Sequence, residues 1–189
     1  QPGYDSSRRD VAFRTYKVTN DWFGTGKKVS EFEAYVLSQG RRLFVDRIRH
    51  NGTMIDTPAP SQMIYNGDEV VLSGRREFII GEETWIGPEV TDPELLEFAI
   101  RITPVRAAGK HIDGMTVKDL LSQPFMHGVS IREIKRQQSL SIPVRANSII
   151  NGGDMITLVG LPYDVSTAAK SIGLPENQTT ATDIIFVTL

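Results

Sequence analysis

The sequence predicts a chain of mixed strands and short helices arranged as two copies of one small module, and three observations carry that prediction. Asn66-Gly67-Asp68-Glu69-Val70-Val71-Leu72-Ser73-Gly74 recurs as Gly152-Gly153-Asp154-Met155-Ile156-Thr157-Leu158-Val159-Gly160: a turn, an acid and an apolar run closed by glycine. The register extends without a gap from Val45 to Gly87 onto Ile131 to Gly173, 86 residues on, matching Ile48 with Ile134, Leu72 with Leu158, Ile86 with Ile172 and Gly87 with Gly173. Each copy also mixes β-branched runs with stretches of helical spacing, the signatures of strand and helix. Such self-similarity reads as a tandem duplication. The expected divisions are module one at 11–87, a linker at 88–94, module two at 95–173 and a tail at 174–189.

Taken in order, the polar stretch Gln1 to Asp10 reads as a lead-in, and Val11 to Val18 as a strand with one face partly wet. The turn residues of Asn20 to Gly26 make a loop. A helix follows, with Val29, Phe32 and Val36 at helical spacing and Lys28 or Ser30 near its start. Arg42 to His50 is a strand, Asn51-Gly52 is a hairpin turn, and the chain returns through Thr53 to Thr57. Pro58 and Pro60 place a surface loop before the repeated turn and strand.

In the second copy, Glu97 to Thr103 reads as a strand. A helix capped by Thr116 or Asp119 follows, with Val117, Leu120 and Leu121 on one face. Gly128 to Arg136 and the run around Leu158 are strands. Val165, Ala168, Ala169 and Ile172 lie at i, i+3, i+4 and i+7 between Pro162 and Gly173, which marks an amphipathic helix with start and stop signals. By analogy Phe78 to Ile86 should be helical as well.

Modules of roughly 75 to 80 residues bury only about 60% of their unfolded surface, so each needs a partner to pack against. The formal charge of −2 and pI near 6.0 offer no overall basicity to recruit nucleic acid. With no cysteine, disulfides, thiol nucleophiles and thiolate metal sites are all excluded. No stretch of eighteen apolar residues occurs. The chain opens Gln1-Pro2 and stops within the apolar run Asp183 to Leu189, which reads as a piece cut from a longer chain just as a hydrophobic segment begins.

Gly24-Thr25-Gly26-Lys27-Lys28 lacks the upstream glycine and following Ser or Thr of a phosphate loop, so it reads as the start of a helix. His50, His111 and His127 have no metal-ligand spacing, and no Gly-x-Ser-x-Gly occurs. No cofactor, metal or catalytic set is expected, and the chain reads as a non-enzyme. The suggestive polar group is cationic: Arg47, Arg49 and His50 on one hairpin, with Arg75 after the repeated strand. These four are the candidate ligand-binding residues, for a small anionic ligand or nucleotide, and the alternative is a solvated strand face. In the second copy Arg47 becomes Glu133, while Arg49 and His50 become Lys135 and Arg136.

Gly26 to Phe32, the hairpin Val45 to Gly52 and Gly67 to Gly74 together resemble the TrkA-C (RCK-C) module, the C-terminal ligand-sensing domain of regulators of potassium conductance. Gly114 to Leu120 and Gly153 to Gly160 resemble it more loosely. The linker Ile86-Gly87-Pro88-Glu89-Val90 and the tail Thr182 to Val187 resemble the large cytoplasmic loop of the aspartate:alanine exchanger family, bacterial secondary transporters with two such modules between blocks of membrane helices.

The resemblance implies an α+β fold, each TrkA-C-like module being a small, mostly antiparallel sheet with short helices. It implies a regulatory or coupling role at the cytoplasmic side of the bacterial inner membrane, and a tail that opens the next transmembrane helix. The partners it implies are the transmembrane helices of the same full-length chain, with the modules packed as a pseudo-symmetric pair or through a homodimer. Two alternatives stand beside this reading: the TrkA-C pair of another anion or cation transporter, and a small soluble enzyme with its site between the repeats.

Overall fold

The computed structural model describes residues 11–173 and the backbone of 183–186. It is an α+β protein with antiparallel sheets that divides into two compact units, one built on Ala12–Phe98 and the other on Ala99–Ile185. The lead-in 1–10 and most of the tail lie outside the described residues.

The first unit contains β1 (Val11–Lys17), β2 (Lys27–Lys28), α1 (Val29–Ser38), β3 (Phe44–His50), β4 (Thr53–Asp56), β5 (Met63–Ile64), β6 (Glu69–Arg75) and α2 (Arg76–Ile79). Its four-stranded sheet has the order β1-β6-β3-β4, and β2 pairs with β5 in a separate ribbon. One sheet face, carrying Ile48, Val70 and Leu72, packs against Val29, Phe32 and Val36 of α1, the helical stripe expected from their spacing.

The opposite face is covered by the segment expected to be a linker. Pro93–Leu96 forms a 3-10 turn started by Asp92, whose side chain accepts from Glu94 N. That turn drives Leu95 and Leu96 into a cluster with Val71, Phe13, Met54 and Phe98. Burying those side chains is why 88–94 belongs to the first unit and the division falls at Phe98/Ala99.

The second unit contains β7 (Ala99–Arg106), α3 (Val117–Leu121), β8 (Ser130–Arg136), β9 (Leu140–Ile142), β10 (Met155–Gly160), α4 (Pro162–Ile172) and β11 (Asp183–Phe186). The sheet order is β11-β7-β10-β8-β9. Val165, Ala168, Ala169 and Ile172 of α4 are buried against Ile131, Ile134, Ile156 and Leu158. Thr116 caps α3, its hydroxyl accepting from Asp119 N at 3.1 Å.

Local details recur 86 residues apart. A β-bulge falls at Asp46 in β3 and at Arg132 in β8. The carboxylate of Asp68 accepts from Tyr65 N, and that of Asp154 from Asn151 N, both at 2.8 Å. A Cβ on Gly87 would stand 1.8 Å from the carbonyl oxygen of Lys17, and one on Gly173 would stand 2.0 Å from that of Arg106. The hairpin turn is left-handed in both, at Asn51-Gly52 (φ +47, +78) and at Gln137-Gln138 (φ +53, +69).

Three expectations are corrected. Phe78 to Ile86 is not one helix: α2 ends at Ile79, Gly81 is left-handed (φ +91), and a 3-10 turn follows at Glu82–Thr84. Adjacent Ile79 and Ile80 disfavour helix, whereas the alanines of α4 favour it. The strand expected at Glu97 to Thr103 begins at Ala99 and runs past Pro104 to Arg106. Asp183–Phe186, expected to open a membrane helix, is a strand beside β7, in keeping with its β-branched residues. The rest of that expectation lies outside the described residues.

Candidate functional site

Strand alternation sorts the first unit's cations onto two faces. Arg47 and Arg49 point to the face covered by 90–98, and His50 lies on the face of Ile48. Arg47 Nε donates to the Asp56 carboxylate, and another of its nitrogens donates to the Glu94 and Leu95 carbonyl oxygens at 2.9 and 3.3 Å. Its guanidinium also lies 5.8 Å from the Phe98 ring centre.

Arg49 donates to both oxygens of Glu69 at 2.9 Å and pairs with Asp92 at 2.8 Å. Its pKa is raised, first by the hydrogen bond to Asp92, with desolvation opposing it and the hydrogen bond and charge of Glu69 adding to the rise. The Asp92 carboxyl is correspondingly lowered, chiefly by Arg49. His50 Nδ1 pairs with the buried Asp68 carboxylate. Arg75 stands at the far end of β6 and donates to Glu77 at 2.8 Å.

The structure therefore brings Arg47, Arg49 and His50 to neighbouring positions and leaves Arg75 apart. Arg47 and Arg49 are committed to the chain's own acceptors, several of them in the 92–97 segment.

The corresponding end of the second sheet is open. A cavity of about 800 Å³ lies there, lined by Arg106, Lys135, Arg136, Asn151, Asp154 and Met155, with the turns Gln137-Gln138 and Gly152-Gly153 at its rim. Arg136 takes the place of His50 and grips Asp154 with two donors at 2.9 Å, while its second terminal nitrogen also donates to the Ile149 carbonyl at 3.0 Å. The pair sets both titrations. Arg136 is raised, first by its hydrogen bond to Asp154. For Asp154, burial pushes the pKa up, but the hydrogen bonds from Arg136 and Asn151 N and the Arg136 charge outweigh it, and the carboxyl is lowered.

Around that closed pair the rim is cationic. Met155 is registered between Arg106 on β7 and Lys135 on β8, so the three side chains share one face in a row across adjacent strands. In the first unit the row position of Met155 holds Glu69, which neutralises Arg49. Lys135 has no ion pair among the described residues. The Arg106 guanidinium reaches the Gly153 carbonyl at 3.4 Å. Sequence reasoning placed the candidate on the first copy. The signal for the second, methionine at the glutamate position, was visible in the repeat alignment.

No protein-family model matches the chain. An uncharacterized transporter of Shewanella oneidensis is 31% identical over 180 residues, a match covering 93% of this chain and 31% of that protein. An uncharacterized transporter of Bradyrhizobium diazoefficiens is 28% identical over 174 residues, covering 92% of this chain and 33% of that protein. The chain thus spans about a third of the length of the curated relatives it matches. Among solved structures, the RCK domain of GsuK matches with a TM-score of 0.36 at 11% identity, over 86% of this chain and 63% of that one.

Proposed function

We propose that this chain is the cytoplasmic regulatory or coupling domain of a bacterial secondary transporter resembling the aspartate:alanine exchangers, built from two copies of a TrkA-C module and performing no catalysis of its own. The observation that carries the reading is the shape of the similarity. More than nine-tenths of this chain aligns with about a third of proteins named as transporters, which leaves most of each relative for a part this chain does not contain. No helix of the described residues is long and apolar enough to cross a membrane, so transport itself falls to that other part. The recurrence of bulge, carboxylate-held turn and glycine contact at a spacing of 86 supports the reading as two copies of one module.

In this reading the partner is the membrane portion of the same full-length protein. The test is exchange of aspartate against alanine by that protein in proteoliposomes, with and without residues 11–173. An intact, membrane-inserted deletion variant whose exchange rate or substrate dependence changes supports a regulatory or coupling role. Unchanged exchange would refute it. Transport of a different solute would shift the reading to the TrkA-C pair of another anion or cation transporter.

A further inference from the structure

The chain contains Asn-Gly three times, at Asn51-Gly52, Asn66-Gly67 and Asn151-Gly152, each pair exposed and each at a turn. We propose that Asn51 alone of the three is a site of covalent modification in the folded protein: its side chain cyclises onto the unheld nitrogen of Gly52 and becomes aspartate or isoaspartate. In that step the Gly52 nitrogen gives up its proton and bonds to the Asn51 side-chain carbonyl carbon. The bond from that carbon to the amide nitrogen breaks, and the nitrogen leaves as ammonia. Solvent water then opens the succinimide at one or other of its carbonyls, and no oxidant or reductant is needed. Glycine suits the step because it has no Cβ to shield the attacking nitrogen.

The structure separates the three sites by what already holds that nitrogen. Gly67 N–H donates to the Val18 carbonyl oxygen and Gly152 N–H to the Asp113 carboxylate, both at 2.8 Å. Those two turns are also fastened by buried aspartates, Asp68 accepting from Tyr65 N and Asp154 from Asn151 N. Among the described residues Gly52 N–H has no acceptor. It stands at the tip of a hairpin whose return strand, β4, has four residues and lies at the sheet edge, so Asn51 leaves its left-handed conformation (φ +47) at little cost.

His50 faces the leaving group. Asp68 holds its Nδ1, and its Nε2 lies 3.2 Å from the Asn51 amide nitrogen. As the side-chain carbon becomes tetrahedral that nitrogen turns basic, and a protonated imidazole supplies the proton with which it departs. The product places a carboxylate beside His50 and, as isoaspartate, lengthens the backbone of a two-residue turn in the hairpin that carries Arg47 and Arg49. The second unit is spared at the equivalent turn, which is Gln137-Gln138.

The experiment is peptide mass spectrometry of the chain after incubation at neutral pH, following the conversion of amide to acid at each Asn-Gly. Asn51 should convert at least about fivefold faster than Asn66 or Asn151, the factor set by one net hydrogen bond that must first be released. In urea the three should react at similar rates. Asp113→Ala frees the Gly152 N–H and should speed conversion of Asn151 with circular dichroism unchanged. Conversion of Asn66 or Asn151 in the folded chain as fast as that of Asn51 overturns the proposal. So does the same ranking in urea, because flanking sequence would then select the site, and so does an unchanged Asn151 rate in folded Asp113→Ala. Were Asp113→Ala to unfold, the ranking in the wild-type chain decides.

Discussion

At the end of β3 in the first unit Arg49 meets two carboxylates, Glu69 and Asp92, whereas at the end of β8 in the second unit Lys135 stands beside Met155. The backbones beneath are alike, with a bulge, a left-handed two-residue turn and a buried aspartate holding the next turn at the same spacing. The two ends differ where solvent reaches and agree where it does not. A buried carboxylate without its donors costs several kcal/mol, so that part of the scaffold tolerates few changes. A rim residue is free to become glutamate or methionine, and that freedom decides whether the cation opposite it on the neighbouring strand meets a carboxylate or a neutral side chain.

The comparison is broken most severely at the shared scaffold. Gly173→Ala and Gly87→Ala each force a Cβ to within about 2 Å of a carbonyl oxygen, that of Arg106 or of Lys17. Each should cost on the order of 4 kcal/mol, seen in urea unfolding. Both tryptophans, Trp22 and Trp85, lie in the first unit. Fluorescence should therefore register Gly87→Ala directly, and circular dichroism should report Gly173→Ala. Equal effects in both signals for both variants would mean that the units unfold as one.

Next in size is Asp154→Ala, which strands the Arg136 guanidinium and the Asn151 N–H. About 3 kcal/mol is expected, at the low end for a broken buried pair because Arg136 is partly exposed. The carboxyl is lowered in the folded state, so its contribution is present above the unfolded value near about 4 and is lost as pH falls through the folded one. The wild-type second unit should weaken on acidification below that point, and Asp154→Ala should flatten this limb of an acid titration followed by circular dichroism.

Smaller effects sharpen the difference between the rims. Glu69→Met gives the first unit the second unit's residue and should cost about 1.5 kcal/mol, because a partly buried Arg49 loses three charge-assisted bonds while keeping Asp92. A neutral result by tryptophan fluorescence would show that Asp92 alone satisfies Arg49. Smaller still, Thr116→Ala removes the side-chain cap on α3 and should cost about 1 kcal/mol. Lys28 gives α1 no such side-chain cap, although its backbone N–H donates to Glu31, so Lys28→Ala should be close to neutral.

What the sequence determined by itself was whatever depends on neighbours along the chain. The amphipathic spacing of Val29, Phe32 and Val36 and of Val165 to Ile172 sets two helices, Asn51-Gly52 sets a left-handed hairpin, and Thr116 sets a cap, all through contacts within a few residues. The equivalence of the two cation-bearing hairpins was legible too, since a fixed spacing needs no coordinates.

Only the tertiary structure decided which cations are already spent. Arg49 is 43 residues from Asp92 and Arg47 is 47 from Glu94, and nothing local signals that a proline-rich connector folds back to meet them. That return is driven by burial of Leu95 and Leu96 on the sheet, an area effect that spacing cannot display. Distant contacts also accompany the break after α2, where buried Glu82 meets Arg41 from 41 residues away. The same kind of contact sets the surroundings of Arg47, Arg49, His50 and Arg75, each of which meets an acceptor of the chain itself. A charge becomes available to a ligand only when the rest of the chain has not already answered it.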